Sequence, residues 1–410
     1  MKTDLDALMQ KNDLDALVIT GPAQHNPAMV YMTGGAHFTG DLIKKRGEEP
    51  IIFYNDMERD EAAKTGLRTK NLGDYNYLEL LKQFNGDSIL ALATRYQMMF
   101  QDLGIYTGRV ALYGRVEFGQ AFAVFSLLQE KMPDITLIGE PGDNSTILQA
   151  RATKDDTEVE RIRQMGKVTT AVVGEVADFL TSHPVKNGML VKQDGQPLTI
   201  GDVKPRIDLW LAERGAENPE GVIFAIGRDA GVPHSSGNPT DPLRLGQTII
   251  FDIYPCEKGG GYFYDFTRTW CLGYASEEVM KLYEDVRSVY QTIMTELRLN
   301  TPYRNYQLLA CELFEARGHP TIQTDTRTQS GYVHSLGHGI GLNVHERPWF
   351  KANAPAEEVI EAGTVFTIEP GLYYPEKGMG VRLEDSVYAR QDGNMEILAE
   401  YPLDLILPVK

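Results

Sequence analysis

Four acids and a cluster of histidines in the second half of the chain have the types and spacing of a metal site. Asp252 closes Ile250-Phe251-Asp252 and Asp265 opens Asp265-Phe266-Thr267-Arg268, with the glycine-rich turn Glu257-Lys258-Gly259-Gly260-Gly261 between them. The midpoint of 252 and 265, at 258.5, falls in that turn. A regular hairpin centred there predicts Asp252 opposite Asp265, side chains on one face and Cβ atoms ~5 Å apart. Glu369 in Phe366-Thr367-Ile368-Glu369 and Glu384 in Val381-Arg382-Leu383-Glu384 repeat the pattern, with midpoint 376.5 inside Pro375-Glu376-Lys377-Gly378. Carboxylates facing one another among apolar strand residues require cations to offset their repulsion and desolvation. His334-Ser335-Leu336-Gly337-His338-Gly339, followed by His345-Glu346, supplies imidazoles, and the glycines flanking His338 permit close backbone approach. One imidazole among carboxylates suits Mn, Co, Zn or Fe(II), whereas an all-oxygen set suits Mg or Ca. Two such ions sharing carboxylates would lie ~3.5–4 Å apart and clamp a hydroxide between them. Taken singly, each acid reads as an ion-paired or capping residue, Gly-His-Gly as a turn and His345 as an ordinary polar side chain. The coincidence of both midpoints with turns is what joins them into a site.

The elements that must position these groups follow from periodicity. Residues 1–150 alternate extended and helical patterns, with strands at Ala16–Thr20, Ile51–Tyr54, Val110–Tyr113 and Ile135–Ile138, each separated from the next by enough chain for a helix. This is an α/β domain, ending after the turn cluster Glu140-Pro141-Gly142-Asp143-Asn144. A second domain, 151–410, opens with a long helix from near Asp155, its apolar residues Val159, Ile162, Met165, Val172, Val176 and Phe179 falling on one face. A helix opening near Asp202 with Pro205 in its first turn follows, then an extended Gly221–Ile226. Strands are predicted at 249–255 and 261–270, helices at 277–298 and 303–317, and strands at 364–369, 380–388 and 395–406. Helices and antiparallel strands share this domain, so it is α+β.

Bulk properties mostly exclude. At 410 residues the chain is longer than one core usually serves. A hydrophobic fraction of 42% and a charged fraction of 24% are those of an ordinary globular protein. Its net charge of −17 repels phosphate backbones and anionic membranes, so neither nucleic acid nor a membrane is an expected partner. Cys256, Cys271 and Cys311 form no CxxC pair, which fits a reducing compartment. The acidic start Met1-Lys2-Thr3-Asp4-Leu5-Asp6 lacks the pattern of a signal peptide, and no stretch approaches the ~20 apolar residues of a membrane span, so a cytoplasmic location is expected.

The motifs together resemble the M24 metallopeptidase family. They are Asp252 with Asp265-Phe266-Thr267-Arg268-Thr269, the run His334 to Pro348, Thr367-Ile368-Glu369-Pro370-Gly371-Leu372-Tyr373 and Arg382-Leu383-Glu384-Asp385. The resemblance spans about 155–410 and implies a pita-bread fold, preceded by an α/β domain similar in type to that of creatinases, prolidases and aminopeptidase P. It implies two divalent ions, Mn foremost, with Asp252 a terminal ligand of one, His338 and Glu369 terminal ligands of the other, and Asp265 and Glu384 bridging. It also implies a metallo-exopeptidase, an Xaa-Pro dipeptidase or aminopeptidase acting on short proline-containing peptides as a homodimer. Glu369 would shuttle protons, His234 and His345 would contact substrate and steady the tetrahedral intermediate, and His334 would line the leaving-residue pocket. Tyr373 and Arg382 would orient the carboxylates. An Xaa-Pro bond is a tertiary amide without the N–H that many peptidases require. An amidohydrolase on a small non-peptide amide and a non-catalytic peptide-binding protein of the same fold remain open alternatives. The chain departs from the family at Asp252-Ile253-Tyr254, where Asp-x-Gly is usual, and its following turn is two residues longer, which alters the adjoining substrate wall.

Overall fold

The computed structural model describes residues 4–410. The chain divides into two compact units, one of residues 1–151 with Gly259–Gly261, the other of the remainder.

In the first unit Leu17, Val18 and Ile19 lie fully buried in β1 (Ala16–Pro22), the third-to-last strand across a six-stranded mixed sheet. Its other strands are β2 (Thr39–Lys45), β3 (Ile51–Tyr54), β4 (Arg68–Asn71), β5 (Gly108–Gly114) and β6 (Ile135–Ile138), in the order β4-β3-β2-β1-β5-β6. Strand β2 corrects the sequence reading, which left only helix-length connections between strands. It carries Asp41, Lys44 and Lys45, which masked its pattern, yet Asp41 and Lys44 are buried and paired. Asp41 Oδ1 accepts from Tyr96 Oη at 2.7 Å, and Lys44 Nζ donates to Asp6 at 2.6 Å. A buried polar group is tolerated once hydrogen-bonded.

The second unit opens with helix Asp156–Thr181, whose Asp155 and Glu158 form a reciprocal capping box. Two five-stranded sheets carry the site. In one, Thr248–Ile253 runs antiparallel to both Val222–Ile226 and Phe266–Ala275. In the other, Val365–Ile368 lies between His338–Gly339 and Asp385–Ala389. The sheets meet where Thr267 and Glu384 exchange backbone hydrogen bonds of 3.4 and 3.1 Å. Helices Glu277–Glu296 and Tyr303–Glu315 bury Val286, Ile293 and Phe314 in one core with Phe366, Leu372 and Leu383. The expected strand over 395–406 is reduced to Met395–Ile397 and Ile406–Leu407. The intervening carbonyls of Tyr401 and Pro402 accept instead from the buried Arg268 guanidinium, at 2.9 and 3.0 Å. No helix among the described residues is long and apolar enough to cross a membrane.

The two hairpins differ in how they meet the expected register. Ile368 pairs with Asp385 and Gly371 with Arg382, one register in which Glu369 and Glu384 fall opposite each other, although the Glu384 amide bonds to Thr267 and the Glu369 amide to Leu336. In the other, Asp252 pairs with Thr267 and not with Asp265. The cause is the turn. Gly259 and Gly260 both have positive φ, 92° and 82°, as the two central residues of a type I′ turn require. Centring on that pair moves the midpoint one residue on and the register by two. A shift of two preserves facing, so Asp265 stays on the face of Asp252, now diagonal to it.

Candidate metal centre

Each acid sits at a strand end where the backbone holds it rigidly. Asp252 is the next-to-last residue of Thr248–Ile253, Asp265 precedes Phe266–Ala275, and Glu369 follows Val365–Ile368. Glu384 stands at the bridge between the sheets, and His338 on a short strand held between Glu346–Trp349 and Val365–Ile368. Asp265, His338 and Glu384 bring ligand atoms within 4.8 Å of one another, all three buried. His338 Nε2 lies 3.6 Å from Asp265 Oδ2 and 3.5 Å from Glu369 Oε1.

The hydrogen bonds determine which atoms remain free. His338 Nδ1 lies 3.1 Å from the Gly339 carbonyl, which can only accept, so Nδ1 carries the proton and the Nε2 lone pair points to the acids. Likewise His334 Nδ1 donates to the Ser335 carbonyl at 2.7 Å, so its Nε2 accepts from Tyr373 Oη at 2.8 Å. Tyr373 Oη in turn accepts from Arg382 at 2.7 Å, and the same guanidinium donates to Asp252 Oδ2 at 2.6 Å. Asp252 Oδ1 is buried with no hydrogen-bond partner. Thr267 Oγ1 donates to Glu384 Oε2 at 2.7 Å, and the Phe266 amide to Asp265 Oδ1 at 2.9 Å.

Electrostatics point the same way. Burial pushes Asp265 well above the carboxylate range, with the charges of Asp252 and Glu369 adding to it. Glu384 is raised well above its ordinary value by burial, then by Asp265 and Glu369. Burial lifts Glu369 to about 8, Arg382 opposing and Asp252 assisting. Burial lowers His338 to about 3, with His345 contributing, and lowers His334 to about 3, with Arg382 contributing. Arg382 remains charged: burial works against it, but Tyr373, Asp252 and Glu369 outweigh that. Four clustered acids, of which Asp265, Glu369 and Glu384 are raised, an orphan carboxylate oxygen and a neutral imidazole with a free lone pair fit divalent transition ions.

Around this cluster is a cavity of about 630 Å³, lined by all five candidate ligands and by His234, His334, His345 and Arg382. His345 and His234 are both exposed, and the His345 ring lies 4.2 Å from that of His338, tilted by 57°. Tyr373 is fully buried behind His334 and Arg382. Several contributors were assigned no role from sequence. Thr267 holds both Glu384 and Arg382 Nε, the latter at 3.3 Å. Buried Arg268 donates to the Glu384 carbonyl at 2.8 Å and pairs with Asp385 at 2.9 Å, and Asp385 accepts from Tyr290 at 2.5 Å. Their signal was adjacency within Thr267-Arg268 and Glu384-Asp385. Tyr254, where the chain departs from Asp-x-Gly, lines the cavity, as do Trp349 and Glu220, which no motif marks.

Comparison with known proteins agrees. Residues 160–391 match metallopeptidase family M24. The Bacillus subtilis protein YkvY is 29% identical over 264 residues, 64% of each chain, so this chain spans just under two thirds of that relative. An Xaa-Pro dipeptidase of Pyrococcus furiosus is 28% identical over 399 residues, 96% of this chain and 97% of the relative. Among solved structures, a dipeptidase from Pyrococcus horikoshii OT3 superposes with a TM-score of 0.74 at 21% identity, covering 98% of each chain. The fold is thus the two-domain pita-bread fold, mixed in helix and sheet.

Proposed function

Since the chain belongs to metallopeptidase family M24, we propose that it is a two-metal exopeptidase hydrolysing the Xaa-Pro bond of dipeptides or short peptides. The observation that carries this reading is the convergence of four carboxylates and one imidazole lone pair on a single cavity. Asp252, Asp265, His338, Glu369 and Glu384 would hold two divalent ions, Mn foremost and Co, Zn or Fe(II) as alternatives. Bound, such ions supply an acidified water as nucleophile and a Lewis acid for the scissile carbonyl.

The chain's own groups do the rest. Glu369, its side chain 15% exposed against 12% for Asp252 and 5% for Asp265, and free of the guanidinium that holds Asp252, would move a proton between water and the leaving nitrogen. His345 and the exposed His234 donate to the substrate and to the oxygen that gains charge. Neutral His334, locked by Tyr373, presents a ring to the leaving residue, and with Trp349 in the same cavity it can accept a proline without requiring an N–H. Arg382 holds Asp252 and Tyr373 together as a fork. A cavity of about 630 Å³ suits a short peptide. The name of the Pyrococcus furiosus relative, Xaa-Pro dipeptidase, supports the substrate class.

The test is hydrolysis of Ala-Pro, Ala-Pro-Ala and Ala-Ala-Ala by protein stripped of metal and reloaded with Mn, Co or Zn. Metal-dependent release from a proline substrate and little from Ala-Ala-Ala is expected. Which of Ala-Pro and Ala-Pro-Ala is cleaved separates dipeptidase from aminopeptidase. Binding of all three without turnover at verified metal occupancy would replace the reading with a peptide-binding protein.

A further inference from the structure

The first unit contains a cavity of about 410 Å³ that the peptidase reading does not use. It opens where the strand order reverses. From β1 the chain proceeds through β2 and β3 to β4 on one side, then returns to lay β5 on the other, parallel to β1. Thr20 and Gly114 are the last paired residues of these two strands, and Gly21, Pro22, Arg115 and Val116 beyond them line the opening. In α/β sheets the crevice outside the carboxyl ends of parallel strands at such a switch point is where ligands bind.

The lining is specific in chemistry. Its apolar side consists of Leu72, Leu92, Val124 and Phe125, with the Phe125 ring 5.1 Å from that of Tyr96. At the polar end Tyr96 Oη donates to Asp41 at 2.7 Å and lies 3.2 Å from Thr20 Oγ1. Burial raises Asp41, opposed by its hydrogen bonds from Thr20 and Tyr96 and by the Arg95 charge. The Glu117 carboxylate is turned to its own helix and accepts from the Gln120 amide at 2.8 Å. Two guanidiniums remain. Arg95 lies over the Tyr77 ring at 5.1 Å, its buried Nε has no hydrogen-bond partner, and it forms no ion pair among the described residues. Arg115 is exposed and donates one N–H to the His25 carbonyl at 3.2 Å. Two guanidiniums thus share this cavity with Asp41 and Glu117, and each acid is already engaged, Asp41 by the Tyr96 hydroxyl and Glu117 by the Gln120 amide, while Arg95 Nε is left without a hydrogen-bond partner.

We propose that the cavity binds a small amphipathic organic anion, its charged head on Arg95 and Arg115 and its apolar body against Leu92, Val124 and Phe125. The proposal is independent of the peptidase chemistry. Its test is titration of the metal-loaded full chain with benzoate, its neutral isostere benzamide and inorganic phosphate, followed by ligand-detected NMR. Saturable benzoate binding is expected, about tenfold or more tighter than benzamide and weakened by at least about tenfold in Arg95→Gln, as loss of a charge-assisted pair implies. Phosphate, lacking the apolar body, binds more weakly than benzoate. Ala121→Trp, which fills the cavity and leaves Arg95 in place, gives the same loss and keeps the test valid should Arg95→Gln misfold. Peptidase activity is unchanged in both variants. Equal binding of benzoate and benzamide, phosphate binding as tight as benzoate, no saturation by ~10 mM, or benzoate affinity unaffected by both variants would each overturn the proposal.

Discussion

Removing divalent ions should make the stability of the second unit fall as pH rises from 7 to 8, a slope opposite to the usual expectation for a carboxylate. Glu369 rises from 4.5 to about 8 in the metal-free fold, and Asp265 and Glu384 are raised with it. An acid whose folded pKa is raised is protonated in the native state and ionised in the unfolded one throughout the intervening window. The native state therefore binds more protons, and stability decreases with pH at up to about 1.4 kcal/mol per unit per group. Glu369, titrating near 8, contributes about 1 kcal/mol of loss between pH 7 and 8, and the raised Asp265 and Glu384 carry the same sign. His334 and His338, lowered to about 3, act oppositely, being neutral when folded while the unfolded rings still bind some proton, and the lowered His345 acts in the same direction. With unfolded rings titrating at 6.5, the three together recover at most about 0.4 kcal/mol across that window, too little to reverse the sign. The net loss from Glu369 after that recovery is about 0.6 kcal/mol, which lowers the melting temperature of a domain this size by about 1–2 °C. Calorimetry of chelated and Mn- or Co-reloaded protein at both pH values, with metal content verified, is the measurement. The reloaded protein should melt higher and without this slope, because cations replace the protons. A chelated protein whose melting temperature is flat or rises from pH 7 to 8 would refute the clustering of buried acids.

Three further outcomes follow from the same geometry. His338→Ala should abolish metal-dependent hydrolysis with circular dichroism unchanged, since Nε2 is the one imidazole lone pair facing the acids; normal turnover at verified metal occupancy would exclude it as a ligand. Glu369→Gln should lower kcat by roughly 10²–10⁴ while KM moves little, as loss of a proton shuttle acts on the chemical step; an effect confined to KM would remove that role. Arg382→Met should destabilise by about 3–5 kcal/mol in chelated protein, because it leaves Asp252 buried without its partner, and Arg382→Lys should recover only part, since a single ammonium cannot span Asp252 and Tyr373; urea titration decides it, and wild-type stability in Arg382→Met would show that the pair is not needed.

The site was legible from sequence to the extent that its geometry depends on parity. Whether two residues of a hairpin share a face depends on whether their separation is odd or even, and a misplaced turn centre changes register by two without touching that. Asp252 and Asp265 could therefore be assigned to one face although their partner was wrong, while Gly259 and Gly260 determined the true pairing through conformations that composition alone does not reveal. The groups that hold the acids were hidden for the opposite reason: Thr267, Arg268 and Tyr290 act across separations of 95 to 117 residues, where no local period operates. Strand β2 and the switch-point cavity were hidden likewise, since Asp41 looks like a surface acid until Tyr96, 55 residues on, is folded against it. A buried polar residue satisfied by a distant partner reads as loop in sequence. Such residues, unlike the apolar strands around them, are therefore the ones whose roles have to be taken from the folded chain.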